Sequence, residues 1–211
     1  MDDEDGVYQV ECAYSPERMK PLPDKACDGR ANPKGIPCLY LANRKDTAVS
    51  EVRPWIGSYV SVGQFKLLRN VDLIYCSRGY KDKDEHSAAL LSFIVGEKTP
   101  TPEEIEKAVW SDIDDAFAEP MTRSDDSADY VATQILSELF KREGFGGVAY
   151  RSNFGENGHN IALFDIESAK LINGTLCKVT SVAVQFEQKD TYYIKNNHPN
   201  KKKRRNTDRE A

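Results

Sequence analysis

The chain lacks the sequence features of several large protein classes. Its five cysteines are irregularly spaced and include no CxxC pair, so we expect no zinc site and no other metal. No apolar run follows the acidic start Met-Asp-Asp-Glu-Asp, so we expect no signal peptide. No apolar stretch approaches the length of a transmembrane helix. These features together favour a protein of the reducing cytoplasm.

The charge distribution disfavours nucleic acid as the main substrate. The whole chain has a net charge of −5, but residues 195–211 carry seven basic side chains against two acidic ones, which leaves −10 on the rest. Binding to a duplex depends on neutralising phosphates, and an acidic body does not supply the positive charge for it. The basic run at residues 201–205 fits either a localisation or nucleic-acid patch or a solubilising, partner-contacting tail.

A phosphate-binding loop of the dinucleotide type is also missing. Gly144, Gly146 and Gly147 precede a predicted strand, whereas the glycines of such a loop follow one. The chain has no internal repeat, and its predicted strands and helices do not alternate strictly, which disfavours a doubly wound parallel sheet. We predict one α+β domain at residues 24–194, after a lead-in at 1–23 and before a disordered tail at 195–211.

Apolar patterning predicts the elements of this domain. We predict strands at residues 7–10, 38–42, 63–68, 71–76, 148–150, 160–164 and 179–186, and helices at 48–53, 86–95, 101–117 and 127–143. Thr101 and Glu104 have the spacing of a capping box, and Gly144 is placed to end the last helix. The apolar residues that recur along that last helix are Val131, Ile135, Leu136 and Leu139.

An acidic run lies near the end of the helix predicted at residues 101–117. It consists of Asp112, Asp114 and Asp115. Three carboxylates could suggest a metal site, but a solvated helix face explains them better.

One stretch, residues 29–51, combines three chemical groups that could bind one ligand. It contains a turn with Arg30, a short apolar strand with Tyr40, and a short helix with Glu51, for which Asp46 and Thr47 could supply the cap. The helix stops before Pro54, because the residue before a proline avoids the helical region. A strand followed by a returning helix can bring all three groups into one pocket. One cation, one aromatic hydroxyl and one carboxylate suffice to hold a phosphorylated, sugar-containing ligand.

Each of these residues also has an ordinary structural explanation. Glu51, late in a short helix, could be a solvated surface residue. Arg30 could form a structural salt bridge, and Tyr40 could be a core tyrosine in a strand. Spacing alone does not choose between these roles and a ligand site.

Residues 29–51 resemble the opening motif of the RES domain family, which is named for its arginine, glutamate and serine. A second block resembles the rest of the family pattern, at residues 130–134, 146–152 and 160–164. The resemblance covers roughly residues 24–172. One departure is Ala31, which stands where the family often has a bulky or aromatic residue and which affects the shape of the pocket wall.

The resemblance implies a fold and an activity. Its members are similar in fold to ADP-ribosylating toxins, with a split β-sheet core, and degrade NAD as toxins of toxin–antitoxin pairs. We therefore expect NAD as the substrate, no further cofactor, and an antitoxin partner. ADP-ribose would pass to water or phosphate; the alternatives are transfer to a macromolecule, or a binding module without turnover.

The resemblance also assigns residues. It implies that Arg30, Tyr40 and Glu51 are catalytic, with Glu51 stabilising positive charge on the ribose. Ser152 would donate a hydrogen bond to the ligand, because no histidine stands in a triad-like context to make it a nucleophile. The residues expected to contact NAD are Arg30, Asn32, Tyr40, Ser152 and Asn160.

Overall fold

The structure is a computed structural model that describes residues 12–77, 95, 99–120, 127–154 and 157–184, except for the side chains of Asp24 and Ser127. Contacts divide the chain into two units, residues 1–181 and residues 182–211. All helices and strands of the described residues belong to the first unit. The predicted strand at 7–10 and the predicted helix at 86–95, apart from Val95, lie outside the described residues.

The described residues contain six strands in two separate sheets. In chain order they are β1 (Leu39–Ala42), β2 (Tyr59–Leu67), β3 (Leu73–Tyr75), β4 (Gly147–Arg151), β5 (His159–Leu163) and β6 (Ala169–Lys178). The larger sheet has the order β1-β5-β4-β3, with β3 parallel to β4 and the other pairs antiparallel. β2 and β6 form a separate antiparallel ribbon. The prediction of an α+β domain is confirmed.

Three α-helices accompany these strands in the described residues: α1 (Lys45–Glu51), α2 (Pro102–Ala118) and α3 (Val131–Arg142). α2 begins with the predicted capping box, in which Thr101 Oγ1 accepts from Glu104 N at 3.3 Å and Glu104 Oε2 accepts from Thr101 N at 2.7 Å. α3 ends ahead of Gly144, whose φ of +93° suits glycine. Within the described chain, no helix combines the length and apolar character needed to cross a bilayer.

The four-stranded sheet has an apolar cluster on each face. One face packs against α2 and α3 through a buried cluster that includes Phe117, Phe140, Val148 and Ala162. The other face packs against the ribbon through Leu39, Leu163, Ala169 and the half-buried Phe65. Strands β4 and β5 are therefore covered on both faces, which explains why they read as nearly continuous apolar runs in the sequence.

The prediction of a strand at residues 179–186 is wrong where the structure describes it. Residues 179–184 form no strand, and residues 185 and 186 lie outside the described part. The ribbon is completed instead by β6, which the sequence did not indicate because its apolar and polar residues alternate poorly. Most of β6 faces solvent on both sides and is held by backbone hydrogen bonds to β2, so it needs no regular burial pattern.

The prediction of how α1 starts is also wrong. α1 begins at Lys45, with Arg44 as its N-cap and no side-chain cap. Asp46 pairs instead with Arg44, at 2.9 Å between Oδ2 and Nη2, and Thr47 is buried inside the first turn. The helix ends at Glu51, which places that carboxylate at its carboxyl terminus.

The acidic run of α2 does not lie wholly on a solvated face. Asp112 is exposed, but Asp114 is fully buried, with its Oδ2 3.4 Å from Nε of Arg151. Asp115 Oδ1 lies 3.3 Å from Nη2 of the same arginine. Burial of a carboxylate requires a cationic or hydrogen-bonding partner, and β4 supplies one through Arg151.

Most of the predicted apolar stripe of α3 points outward, and of its four residues only Leu136 packs against the core. The buried side chains of α3 are Thr133, Ser137 and Phe140, while Val131, Ile135 and Leu139 are exposed. The small polar side chains let α3 approach its neighbours closely, and Phe140 fills the core. Apolar spacing alone therefore identified the helix but not its inner face.

This orientation of α3 gives a stability prediction. Phe140→Ala should lower the free energy of unfolding by about 3–5 kcal/mol, because it leaves a cavity in the core. Ile135→Ala, at a position 64% exposed, should change it by no more than about 0.5 kcal/mol. Urea unfolding of both variants checks this, and equal losses would contradict the orientation of the helix.

Candidate functional site

A carboxylate held by two buried donors lies where α1 meets β4 and β5. Glu51 Oε1 accepts a hydrogen bond from Ser152 Oγ at 2.7 Å and another from Asn160 Nδ2 at 2.5 Å. Ser152 and Asn160 are only 5% and 6% exposed, whereas Glu51 is exposed. Ser152 follows β4 directly and Asn160 lies in β5, so the sheet fixes both donors. The carboxylate is thereby held in one orientation.

Close packing fixes α1 beside these donors. The side chain of Thr47, which is 2% exposed, lies against Gly158. A Cβ added at Gly158 would stand 2.5 Å from Thr47 Oγ1, so only glycine allows this approach. Ser152 is bound into the same loop, since its backbone N–H donates to Gly158 O at 2.9 Å and its Oγ accepts from Phe154 N at 3.0 Å.

The second carboxylate oxygen of Glu51 is available. Among the described residues, none donates a hydrogen bond to Oε2. The carboxyl end of a helix carries a partial negative charge, which adds to the negative potential of Glu51. The surroundings of Oε2 therefore favour a ligand group that is positively charged or that donates a hydrogen bond.

Arg30 lies in a tight turn that Tyr40 closes. Backbone hydrogen bonds run both ways between Gly29 and Asn32, at 2.9 and 3.3 Å. The hydroxyl of Tyr40, from β1, accepts from Ala31 N at 2.9 Å and donates to Asn32 Oδ1 at 2.7 Å. The peptide bonds on either side of Arg30 are thus fixed to the sheet.

The amide of Asn32 is committed to the same turn. Asn32 is 3% exposed, and its Nδ2 donates to the carbonyl oxygens of Cys27 and Ile36, both at 2.8 Å. Gln134 of α3 adds a brace, with its Nε2 donating to Gly29 O at 3.0 Å and Asn32 O at 3.1 Å. That Asn32 contacts NAD stays a prediction; in the structure its side chain builds the turn that presents Arg30.

Tyr40 has an accessible ring and an enclosed hydroxyl. The residue is 42% exposed, yet a Cβ added at Gly29 would stand 2.6 Å from its Oη. Burial of the hydroxyl raises the pKa of Tyr40, so the group stays protonated at physiological pH. A ligand can therefore meet the face of this ring but not its hydroxyl.

The guanidinium of Arg30 lies at the carboxyl end of α2. Its Nη1 donates to Ala116 O at 3.0 Å, and its Nη2 donates to Glu119 O. α2 has no basic residue in its own last turn, so Arg30 supplies the cation that a helix carboxyl terminus favours. An arginine has five N–H donors, and these two contacts leave three of them for a ligand.

Tyr150 of β4 lies near enough to both Arg30 and Glu51 for their charges to act on it. It stands directly opposite Asn160 in the sheet, and its ring packs against Phe117 of α2 with centroids 5.5 Å apart. Burial raises the pKa of Tyr150; the positive charge of Arg30 opposes the shift, and the negative charge of Glu51 adds to it. Both charged groups therefore act on one phenol.

The six predicted site residues thus form two clusters. Glu51, Ser152 and Asn160 are in direct contact, and Arg30, Asn32 and Tyr40 form or brace the neighbouring turn. Among the described residues no hydrogen bond or ion pair joins Arg30 to Glu51, and the charges of both act on Tyr150. Sequence reasoning missed Tyr150 and Gln134, because a tyrosine in a strand and a glutamine in a helix carry no pattern of their own.

A metal is not indicated by the side chains that the structure describes. Among them, no group of three or more His, Cys, Asp or Glu residues is arranged to hold a metal ion. Arg30, Glu51, Ser152 and Asn160 instead form an organic site, with one cation, one anion and two neutral hydrogen-bonding groups.

The turn around Arg30 gives a second stability prediction. Tyr40→Phe should cost about 1–3 kcal/mol of unfolding free energy, because it leaves Ala31 N–H and Asn32 Oδ1 without their partner. Tyr75→Phe is the matched control. The Tyr75 hydroxyl lies 2.9 Å from His159 Nε2 in a residue 49% exposed, so water can replace that bond and the loss should stay under about 1 kcal/mol. An equal or smaller loss in Tyr40→Phe would show that the turn does not depend on this hydroxyl.

Comparison with known proteins identifies the family of the chain. The family model of the RES domain matches residues 7–174, well over half of the chain. No curated protein and no solved structure matches the sequence. The match spans the turn with Arg30, the carboxylate of Glu51 and the serine and asparagine that hold it. The chain therefore belongs to the RES domain family, whose members are toxin–antitoxin modules that act on NAD and pair with an antitoxin.

Proposed function

We propose that this chain cleaves the bond between nicotinamide and ribose in NAD, passes ADP-ribose to water or phosphate, and so depletes cellular NAD. The observation that carries the proposal is the carboxylate of Glu51, whose Oε1 is fixed by Ser152 and Asn160 and whose Oε2 accepts no hydrogen bond from any residue that the structure describes. A preorganised anion of this kind stabilises positive charge that develops on a bound sugar.

The chemistry needs no general acid. When the bond between C1 of the ribose and the pyridinium nitrogen breaks, its electron pair stays with the ring, and nicotinamide leaves as a neutral molecule. The ribose becomes oxocarbenium-like, and an oxygen of water or phosphate then bonds to C1. When water attacks, its surplus proton passes to solvent. The barrier lies in the positive charge on the ribose, which is the charge that one carboxylate can stabilise.

The position of Glu51 suits this task. Two hydrogen bonds hold Oε1, so the carboxylate need not reorganise during the reaction, and such preorganisation is what makes electrostatic stabilisation effective. Oε2 is free to face C1 or to accept the 2-hydroxyl of the ribose. Ser152 and Asn160 position the carboxylate, and a ribose bound at Glu51 would lie close to both of them.

Arg30 and Tyr40 suit the other parts of NAD. The three remaining N–H groups of Arg30 can bind the pyrophosphate or the ribose, and a planar, permanently charged fork fits phosphate oxygens well. The exposed ring of Tyr40 can stack on the nicotinamide, because aromatic faces attract cationic rings. An antitoxin would be needed to keep an unregulated NAD-cleaving chain harmless to its own cell.

Removing the negative charge of Glu51 tests the proposal. Glu51→Gln keeps the size and most of the hydrogen-bonding capacity of the side chain. It should lower the rate of nicotinamide release by about 10²–10³ with little change in NAD affinity, since the charge acts mainly on the transition state. Incubation with NAD followed by mass spectrometry measures the release of nicotinamide and also shows whether ADP-ribose, its phosphate or a modified macromolecule is formed.

Glu138→Gln, in an exposed glutamate of α3, is the control and should release nicotinamide at the original rate. If Glu51→Gln releases nicotinamide as fast as the unmodified chain, Glu51 has no role in catalysis. Absence of nicotinamide release from the unmodified chain would favour a binding module, and labelled ADP-ribose attached to protein or nucleic acid would favour a transferase.

Arg30→Lys tests the phosphate contact. Lysine keeps the charge but loses the planar fork, so we expect turnover of NAD to fall about tenfold to a hundredfold, the equivalent of about 1.5–3 kcal/mol. Measuring the free energy of unfolding alongside separates this effect from weaker capping of α2. Arg44→Lys, which alters an exposed arginine paired only with Asp46 among the described residues, should leave turnover unchanged. Unchanged kinetics in Arg30→Lys would take Arg30 out of the site.

A further inference from the structure

Tyr150 is a buried residue, and its hydroxyl has no hydrogen-bond partner among the described residues. Tyr150 is 5% exposed, and its ring is fixed by Phe117 on one side and by the sheet on the other. Buried tyrosine hydroxyls nearly always form a hydrogen bond. No described residue forms a hydrogen bond with this hydroxyl. The hydroxyl of Tyr40, by contrast, has two partners.

The neighbours of Tyr150 place it inside the site. On β5 its cross-strand partner is Asn160, the residue that donates to Glu51. On α2 its ring contacts Phe117, which follows Ala116, the residue whose carbonyl accepts from Arg30. Cross-strand partners of an antiparallel pair lie on the same face of the sheet, so Tyr150 and Asn160 present their side chains side by side.

The electrostatics agree with that placement. The charges of Arg30 and Glu51 both act on the phenol, in opposite directions, and burial raises the pKa of Tyr150 far enough that it stays protonated at physiological pH. A protonated phenol is a neutral hydrogen-bond donor and not a base. The site therefore offers a donor in addition to its carboxylate acceptor.

The other uncharged groups of the site each make a described hydrogen bond within the protein. The hydroxyl of Ser152 and the amide of Asn160 donate to Glu51, and the hydroxyl of Tyr40 donates to Asn32. The described contacts give no acceptor to the hydroxyl of Tyr150, which belongs to the residue directly opposite Asn160 in the sheet, so this phenol can donate to a ligand. A sugar hydroxyl can donate to a carboxylate and accept from a phenol at once, and each of these bonds strengthens the other.

We propose that Tyr150 binds the ligand, donating a hydrogen bond to the 2-hydroxyl oxygen of the nicotinamide ribose while that hydroxyl donates to Oε2 of Glu51. The pair of groups then recognises ribose and rejects deoxyribose. This inference rests on the proposed cleavage of NAD, because it names the substrate contact at the same carboxylate. The hydrogen bond from Tyr150 would increase the preference for ribose over deoxyribose beyond what Glu51 provides alone.

The test compares two substrates with two proteins. Tyr150→Phe keeps the ring and removes the donor. We measure nicotinamide release, as kcat/KM, from NAD and from an NAD analogue that lacks the 2-hydroxyl on the nicotinamide ribose. Tyr150→Phe should lower kcat/KM for NAD roughly tenfold and leave kcat/KM for the analogue unchanged, so that the preference between the two substrates falls by the same factor. Different intrinsic reactivities of the substrates cancel, because each is compared with itself across the two proteins.

Tyr75→Phe is the matched control, since it removes an exposed hydroxyl outside the site and should leave the preference unaltered. The melting temperature of Tyr150→Phe should stay within about 4 °C of the original. A larger drop would not affect the test, because the preference is a ratio and does not depend on the fraction of folded protein.

Two results would overturn the inference while leaving NAD cleavage intact: Tyr150→Phe changes kcat/KM for neither substrate, or it lowers both equally; in each case the preference stays unchanged. If the unmodified chain releases no nicotinamide, the proposed function fails, and the inference is then decided by calorimetric affinities for NAD and for the analogue. A selectivity for NAD that Tyr150→Phe removes would support the ribose contact even then, and equal affinities in the unmodified chain would refute it.

Discussion

The arrangement of the site depends on the two hydrogen bonds that Glu51 Oε1 accepts from Ser152 and Asn160. α1 has only seven residues, too few for a stable helix on its own, so its position comes from what it contacts. Its contacts are the burial of Thr47 against Gly158 and the anchoring of Glu51 to β4 and β5. Because both donors are buried, a carboxylate that left them would leave their hydrogen bonds unmade, which keeps it in place.

Hydrogen bonds also fix the turn with Arg30, which supplies the positive charge of the site. The turn that carries Arg30 is closed by Tyr40, Asn32 and Gln134, which come from three separate parts of the chain. The guanidinium then reaches the carbonyl oxygens at the end of α2. Ordering of the turn and capping of the helix are therefore coupled. A ligand that drew Arg30 away would have to replace those two acceptors with its own oxygens.

The sequence predicted much of the framework, because the relevant signals were local. The apolar runs of β1, β4 and β5, the capping box of α2 and the glycine after α3 each depend on a few neighbouring residues. β6, the inner face of α3 and the burial of Asp114 could not be predicted, because each depends on a partner distant in sequence. β6 relies on β2, the small side chains of α3 rely on close packing, and Asp114 relies on Arg151.

The candidate site was predictable in part, because its residues belong to a recognisable sequence pattern. The resemblance to a known family singled out Glu51, Ser152 and Asn160, and the structure places the three in contact. The structure added what spacing could not give, namely that the hydroxyl of Tyr40 bonds within the Arg30 turn and that the charges of both Arg30 and Glu51 act on Tyr150. A tyrosine in an apolar strand is usually an ordinary core residue. Only the neighbours of Tyr150 in the structure distinguish it from such a core tyrosine.

The contact between Thr47 and Gly158 determines how long the acidic side chain at position 51 must be. Because Thr47 already fills the space that a Cβ at Gly158 would occupy, α1 has no room to move towards the loop before β5. An aspartate at position 51 would be one methylene shorter, and the helix could not shift to make up the difference. The side-chain length that reaches Ser152 and Asn160 is therefore set by the packing of the backbone around α1.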